Sequence, residues 1–109
     1  NKPGSASTPA NRRDINGWKV NKYGTYYKTE HATFTPNTPI KTHYVGPFRS
    51  CPVSGVLQPG QTVRYDTVCK QDDHVWISYT AYNGKDVWLA IRTWDKNTDS
   101  LGKLWGTIK

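Results

Sequence analysis

The sequence predicts an all-β fold, a small, partly open barrel behind a flexible N-terminal linker, on three observations. Aromatics supply the core: five Trp, seven Tyr and two Phe stand in a 109-residue chain that is only 35% hydrophobic. Aromatic and β-branched side chains suit half-buried pleated strands, whereas the helix formers Met, Ala, Leu and Glu are absent or few. Nine Gly and seven Pro break the chain into short runs. Turns at such close intervals mark a sandwich or small barrel, and at this size the barrel fits better. A single domain is expected.

Residues 1–17 (NKPGSASTPANRRDING) are Pro, Gly, Ser, Ala and Asn with almost nothing to bury, which is linker composition. A linker here implies a further domain upstream, so the folded unit is expected over 18–109. Its first element is the extended stretch Asn21 to Tyr27, whose Asn21, Tyr23, Thr25 and Tyr27 fall on one side. Gly24 allows a bulge within it. Ala32 to Thr35 continues extended until Pro36-Asn37-Thr38-Pro39 breaks it, and Ile40 to Val45 is a strand closed by Gly46-Pro47. Gln58-Pro59-Gly60-Gln61 has the Pro and Gly of a type II turn. Thr62 to Lys70 is the next strand, and Gln71-Asp72-Asp73 turns it. His74 to Tyr82 and Lys85 to Thr93 flank Asn83-Gly84, the pair preferred in type I′ hairpin turns because both central residues take positive φ. There, Val75, Ile77, Tyr79, Val87, Leu89 and Ile91 form core faces. Trp76 and Trp88 fall on the opposite face, where an aromatic caps a barrel end or binds something. Trp94 to Leu104 reads as irregular, and the LWGTIK stretch closes the chain. Trp18, Phe34, Phe48 and Trp94 are assigned to the core.

Fifteen Lys and Arg against eight Asp and Glu give a net charge of +7. Such a surface attracts polyanions, whether nucleic acid, anionic lipid or wall teichoic acid. The cations are dispersed rather than run together, which favours solubility and weak anion attraction over one basic face. No stretch reaches the ~20 apolar residues of a membrane span, and no signal-peptide pattern is present. Cys51 and Cys69 permit one disulfide, with two partly buried thiols as the simpler reading.

Catalytic chemistry finds little support. His31, His43 and His74 sit in no metal-ligand spacing, so neither metal nor cofactor is expected. Cys69 and His74 offer a nominal thiol and base across the Asp72-Asp73 turn, but a reactive cysteine needs an electropositive mount such as a helix N-terminus. The chain reads as a binder. Tyr and Trp present flat apolar faces with a hydrogen-bonding edge, which suits a ligand that is nearly all backbone. Polyglycine is such a ligand, and narrow aromatic walls favour it by excluding any Cβ.

The stretches WKVNKYGTYYK (18–28), ATFTPNT (32–38), GPFRS (46–50), SGVLQPGQ (54–61), VRYDTVCK (63–70), KQDDHVW (70–76) and RTW (92–94), with the closing LWGTIK (104–109), carry a family resemblance. Over 18–109 the chain resembles the bacterial SH3-type cell-wall-targeting domains of the lysostaphin and staphylococcal phage endolysin family, and YDTVCK and DVWLAIRTWDKNT stand nearer the endolysin branch. The resemblance implies a small SH3-like barrel, non-catalytic in itself, that binds peptidoglycan through the pentaglycine cross-bridge and the adjoining stem peptide. On matching positions it puts Asn21, Tyr23, Thr25, Tyr27, Thr67, Cys69 and Trp88 around the glycine groove, and Lys41, His43, His74 and Trp105 toward the stem. Against the lysostaphin branch, Thr67 replaces an acid, Cys69 and Cys51 replace Met, Trp88 replaces Tyr, and Lys41 and His43 replace Ile and Arg. The implied partners are peptidoglycan and a covalently linked upstream catalytic domain, an endopeptidase or amidase, with no nucleic acid and no membrane. A monomer acting at the bacterial cell wall is expected, secreted or, if phage-encoded, released from the cytoplasm. The competing readings are a single-stranded nucleic-acid binder on an OB-like barrel, stacking bases on Tyr and Trp, and a stand-alone Cys–His peptidase.

Overall fold

Antiparallel pairing organises residues 17–109, the part of the chain described by the computed structural model. Of the linker expected over 1–17, residues 1–16 lie outside the described residues. The strands are β1 (Lys19–Val20), β2 (Tyr26–Pro36), β3 (Ile40–His43), β4 (Val53–Leu57), β5 (Val63–Gln71), β6 (His74–Thr80), β7 (Asp86–Asp95), β8 (Ser100–Leu101) and β9 (Gly106–Ile108). They form one sheet in the order β1-β2-β5-β6-β7-β3-β4, with β8 on β7 and β9 on β2. No helix occurs among the described residues. Curling lets the C-terminal segment bridge β2 and β7, which are not neighbours in the sheet. Trp105 donates its backbone N–H to Ile91 of β7, and its carbonyl accepts from Asn37 just past β2, so the barrel is partly closed.

The alternation expected in β6 and β7 places the core correctly. Val75, Ile77, Val87, Leu89 and Ile91 are buried with Phe34, Tyr65, Val68 and Trp94 in one cluster, and Tyr79 packs half-buried against it. Gly106 explains part of the closing motif. A Cβ there would lie 2.2 Å from the Thr35 carbonyl oxygen and 2.8 Å from the Phe34 ring, so only glycine lets β9 sit on β2. At the other end, Trp18 is pinned between Lys28 and Lys70, whose Nζ atoms stand 4.8 Å and 4.7 Å from its ring centroid. Lys70 is itself buried and donates to Asp99 at 2.8 Å, and Asp99 also accepts the Trp94 indole N–H at 2.7 Å. The buried cation is thus paired, as burial requires.

Three local expectations are corrected. Asn21 to Thr25 is a turn rather than a strand; β2 starts only at Tyr26. Asn21 closes that turn, its Oδ1 accepting the backbone N–H of Tyr23 (2.9 Å) and Thr25 (3.1 Å), the asparagine habit of mimicking a backbone turn. The Asn83-Gly84 hairpin is not a two-residue type I′ turn. Gly84 has positive φ (83°) and Asn83 does not. Gly84 N–H bonds back to Ala81 and Ala81 N–H to Lys85, a three-residue loop with the glycine as left-handed closer. The two-residue turn with both φ positive lies instead at Asp72 (52°) and Asp73 (61°), between the paired Gln71 and His74. Asp tolerates the left-handed region better than most residues. The third correction is Phe48, which is only half-buried and lies outside the core cluster. The type II turn holds, with Gly60 at φ 85°.

Candidate functional site

Cross-strand partners in an antiparallel sheet point to the same face, and two rows of partners define the face opposite the core. One row is Tyr27, Cys69, Trp76 and Ala90; the next is Thr67, Ser78, Trp88 and His43. The loop between β3 and β4 crosses this face and divides it. It leaves β3 with Tyr44 N–H bonded to the Pro52 carbonyl and reaches the β5–β6 turn, where Arg49 grips Asp72. The Arg49 backbone N–H (2.8 Å), Nε (2.9 Å) and a terminal nitrogen (3.1 Å) all donate to the Asp72 carboxylate. That grip holds the Asp72 carboxyl below the usual carboxylate range.

On one side of the loop lies a groove of about 520 Å³. Asn21, Tyr23, Thr25, Tyr27, Thr67, Cys69 and Trp88, all of the residues expected around a glycine groove, line it together. Tyr23 is exposed, while Thr25 and Cys69 are buried at its base. The remaining wall is Val45, Gly46, Pro47 and Phe48. Gly46 N–H donates to the Tyr44 carbonyl at 3.0 Å, closing a three-residue turn on Val45 at φ 80°, a strained conformation for a β-branched residue. Among the described residues, no ionisable side chain other than the Tyr23 and Tyr27 phenols and the Cys69 thiol lines the groove. Burial pushes the Cys69 thiol up to about 12, and hydrogen bonding from Trp88 does not offset it. A buried thiol with a raised pKa is a poor nucleophile, and His74 lines the cavity on the other side of the loop rather than this groove, which speaks against a Cys69–His74 pair.

Gln71 ties the groove's turn to the sheet, and nothing in the sequence singled it out. Its side-chain amide donates to the Tyr23 carbonyl (3.1 Å) and the Thr25 hydroxyl (2.9 Å). Its backbone carbonyl accepts the indole N–H of Trp76 at 2.8 Å.

On the other side of the loop is a larger cavity of about 780 Å³. It brings together Lys41, His43, His74 and Trp105, the four positions expected toward a stem peptide. Its floor is Trp76, fully buried, with the rings of His43 and His74 edge-on to it at 5.6 Å and 6.2 Å. Trp105 stands 5.7 Å from His74. Arg49, Lys103 and Leu104 also line it. Trp76 thus caps the non-core face, whereas Trp88 lines an open groove. Sequence reasoning missed Val45–Phe48, Arg49 and Lys103. Gly46-Pro47 marked a turn, but where that loop lands depends on Asp72, far along the chain. Among the described residues both cysteines are free, and no cluster of His, Cys, Asp or Glu could hold a metal ion.

Comparison with known proteins bears directly on this site. The family described as Bacterial SH3 domain matches residues 26–91. The endolysin PlyTW of Staphylococcus phage Twort is 59% identical over 102 residues, covering 92% of this chain and 22% of that protein. The SH3b domain of lysostaphin from Staphylococcus simulans, solved in its P4-G5 complex, superposes with a TM-score of 0.85 at 62% identity, covering 85% of this chain and all of that one. The cell wall targeting domain of the peptidoglycan hydrolase ALE-1 from Staphylococcus capitis gives 0.83 at 58% identity, covering 85% and 94%. The chain spans about a fifth of the length of the curated relatives it matches.

Proposed function

The chain belongs to the bacterial SH3 domain family, and we propose that it anchors a linked peptidoglycan hydrolase to staphylococcal cell wall by holding the pentaglycine cross-bridge and the adjoining stem peptide. It is an SH3b cell-wall-targeting domain of the lysostaphin and endolysin kind, a non-catalytic module. With that membership the OB-like nucleic-acid reading falls away.

One observation carries the ligand assignment. The groove that collects Tyr23, Tyr27, Thr67 and Trp88 is walled by aromatics and, among the described residues, carries no carboxylate or cation. A ligand without side chains offers only peptide planes and main-chain polar groups. It gains from stacking on Tyr and Trp faces, and from hydroxyl and carbonyl partners along the base. Thr67 supplies a neutral hydroxyl where the lysostaphin branch has an acid. The stem peptide leaves the bridge across the Val45–Arg49 loop and enters the cavity of His43, His74 and Trp105. Anchoring raises the effective concentration of substrate at the attached catalytic domain without any new chemistry. The module acts as a monomer at the wall, whether its parent is secreted or phage-encoded.

The test is sedimentation with purified staphylococcal walls. Trp88→Ala is expected to abolish co-sedimentation while circular dichroism stays unchanged, and walls whose bridges carry serine in place of glycine should bind the unmodified domain more weakly. Full binding by a folded Trp88→Ala variant would refute the groove assignment.

A further inference from the structure

The larger cavity carries a chemistry that the groove lacks. Lys41 from β3, Arg49 from the β3–β4 loop and Lys103 from the segment before β9 line it with His43 and His74, and among the described residues no carboxylate does. The two imidazoles are held alike. His43 Nδ1 lies 2.9 Å from the Cys51 carbonyl oxygen, and His74 Nδ1 lies 2.8 Å from that of Asp72. A carbonyl oxygen only accepts, so both Nδ1 atoms carry the proton. In the neutral rings Nε2 is then a bare lone pair, and no hydrogen bond reaches either Nε2 among the described residues. His43 is only 6% exposed. A ring nitrogen without a protein partner, on a residue that lines a cavity, points to a ligand group that completes it.

We propose that this cavity binds a peptide carboxylate through the Nε2 atoms of His43 and His74, and that its occupancy strengthens as pH falls. The inference rests on the stem-peptide reading above and adds the ligand group and its regulation. Neutral imidazoles with Nδ1 protonated present only acceptors, which repel a carboxylate oxygen. Protonation turns both Nε2 atoms into charged donors, and imidazole is the side chain that gains charge between pH 8 and 5. A peptide carboxylate stays ionised throughout that range. Lys41, Arg49 and Lys103 bring positive charge to the same cavity and attract the anion. Asp72 is engaged by Arg49 at 2.9 Å, and Asp73 lies 3.7 Å from the same guanidinium with its side chain largely in solvent.

Isothermal titration of the domain with a synthetic stem tetrapeptide, as the free acid and as the C-terminal amide, tests this. The acid is expected to bind about tenfold more tightly at pH 5.5 than at pH 8.0, and the amide to change less than twofold. His43→Gln/His74→Gln should flatten the acid's profile. Should that variant fold poorly, NMR of the imidazoles in the unmodified protein replaces it: the acid peptide should raise the midpoint of their titration and the amide should not. A pH-independent affinity for the acid, or equal pH dependence for both peptides, overturns the inference. Trp105→Ala separates this from failure of the underlying reading. If Trp105→Ala leaves affinity unchanged, the peptide binds elsewhere and both fall. If Trp105→Ala weakens binding while the pH dependence is absent, only the histidine inference falls.

Discussion

The groove and the cavity lie on one face of one sheet, a single loop apart, yet they are built on opposite principles. The groove is neutral, its walls Tyr23, Tyr27, Phe48 and Trp88. The cavity is cationic, its lining Lys41, Arg49, Lys103 and two histidines. A ligand of plain backbone and a ligand with ionised ends need different walls, and splitting the face lets one small domain offer both. The split depends on parts that belong to both sides. Trp76 floors the cavity while its indole N–H bonds to the Gln71 carbonyl, and the Gln71 amide holds the groove's turn. The β3–β4 loop gives Val45–Phe48 to the groove and Arg49 to the cavity.

The largest effect should come from the shared floor. Trp76→Ala empties a fully buried indole site, for which truncation costs about 3–5 kcal/mol, and leaves the Gln71 carbonyl without that donor. Loss of both ligands together, with a clearly lower midpoint in urea, is the expected outcome. A variant that lost only the stem peptide would show that the floor serves one side.

Gln71→Ala should divide the two sites. Removing its amide frees the Tyr23 carbonyl and the Thr25 hydroxyl, a stability cost of about 1–2 kcal/mol. Capped pentaglycine affinity should fall about tenfold, equivalent to ~1.4 kcal/mol of lost preorganisation, while stem-peptide affinity stays within twofold. Equal losses measured by titration would mean that the Asn21–Thr25 turn does not shape the groove by itself.

Salt should divide them again, more gently. Raising ionic strength from roughly 0.05 to 0.5 M shortens the screening length several-fold. Stem-peptide affinity is expected to drop about fivefold and capped pentaglycine affinity to hold. A salt-sensitive groove would place an unseen charge in it.

The same contrast separates what was legible in the sequence from what was not. Period-two alternation located β6 and β7 and their core side chains because a strand's two faces are written two residues apart. It misread Asn21–Thr25, where a turn closed by the Asn21 side chain produces a one-sided set of residues without any strand. Asn83-Gly84 has the residues of the tight turn, yet Asp72-Asp73, with no glycine, makes it. Hairpin register, set by the pairing of Gln71 with His74, outweighed local preference there. The resemblance named every groove residue on the strands and on the first turn. The third wall and the Arg49 rim arise from a contact between residues 49 and 72, and no local pattern records it. The cationic cavity escaped for the same reason: its charges come from three separated segments, each of which reads as dispersed surface charge.

The smallest effect tests the loop that keeps the two sites apart. Asp72 carries the Arg49 contacts, and its folded carboxyl titrates below its ordinary value because Arg49 hydrogen-bonds to the ionised form. A depressed folded value contributes stability that is present above the unfolded value of about 3.9 and is lost as pH falls through the folded value. Asp72→Asn removes that contribution while suiting the left-handed turn, since asparagine tolerates φ of 52° as well as aspartate does. The Asp72 side chain is 24% exposed and its partner 58%, so solvent screening limits the loss at pH 7 to about 0.5–1 kcal/mol. The two proteins should converge in stability as pH falls through the folded value, where the wild-type carboxylate is also protonated. Chemical denaturation at a descending series of pH values from 7 follows that convergence. A difference that stayed constant across the whole series would assign the effect to turn geometry rather than to charge. If the loop then shifts, groove and cavity affinities should weaken together and by similar small factors, because Val45–Phe48 and Arg49 move as one segment.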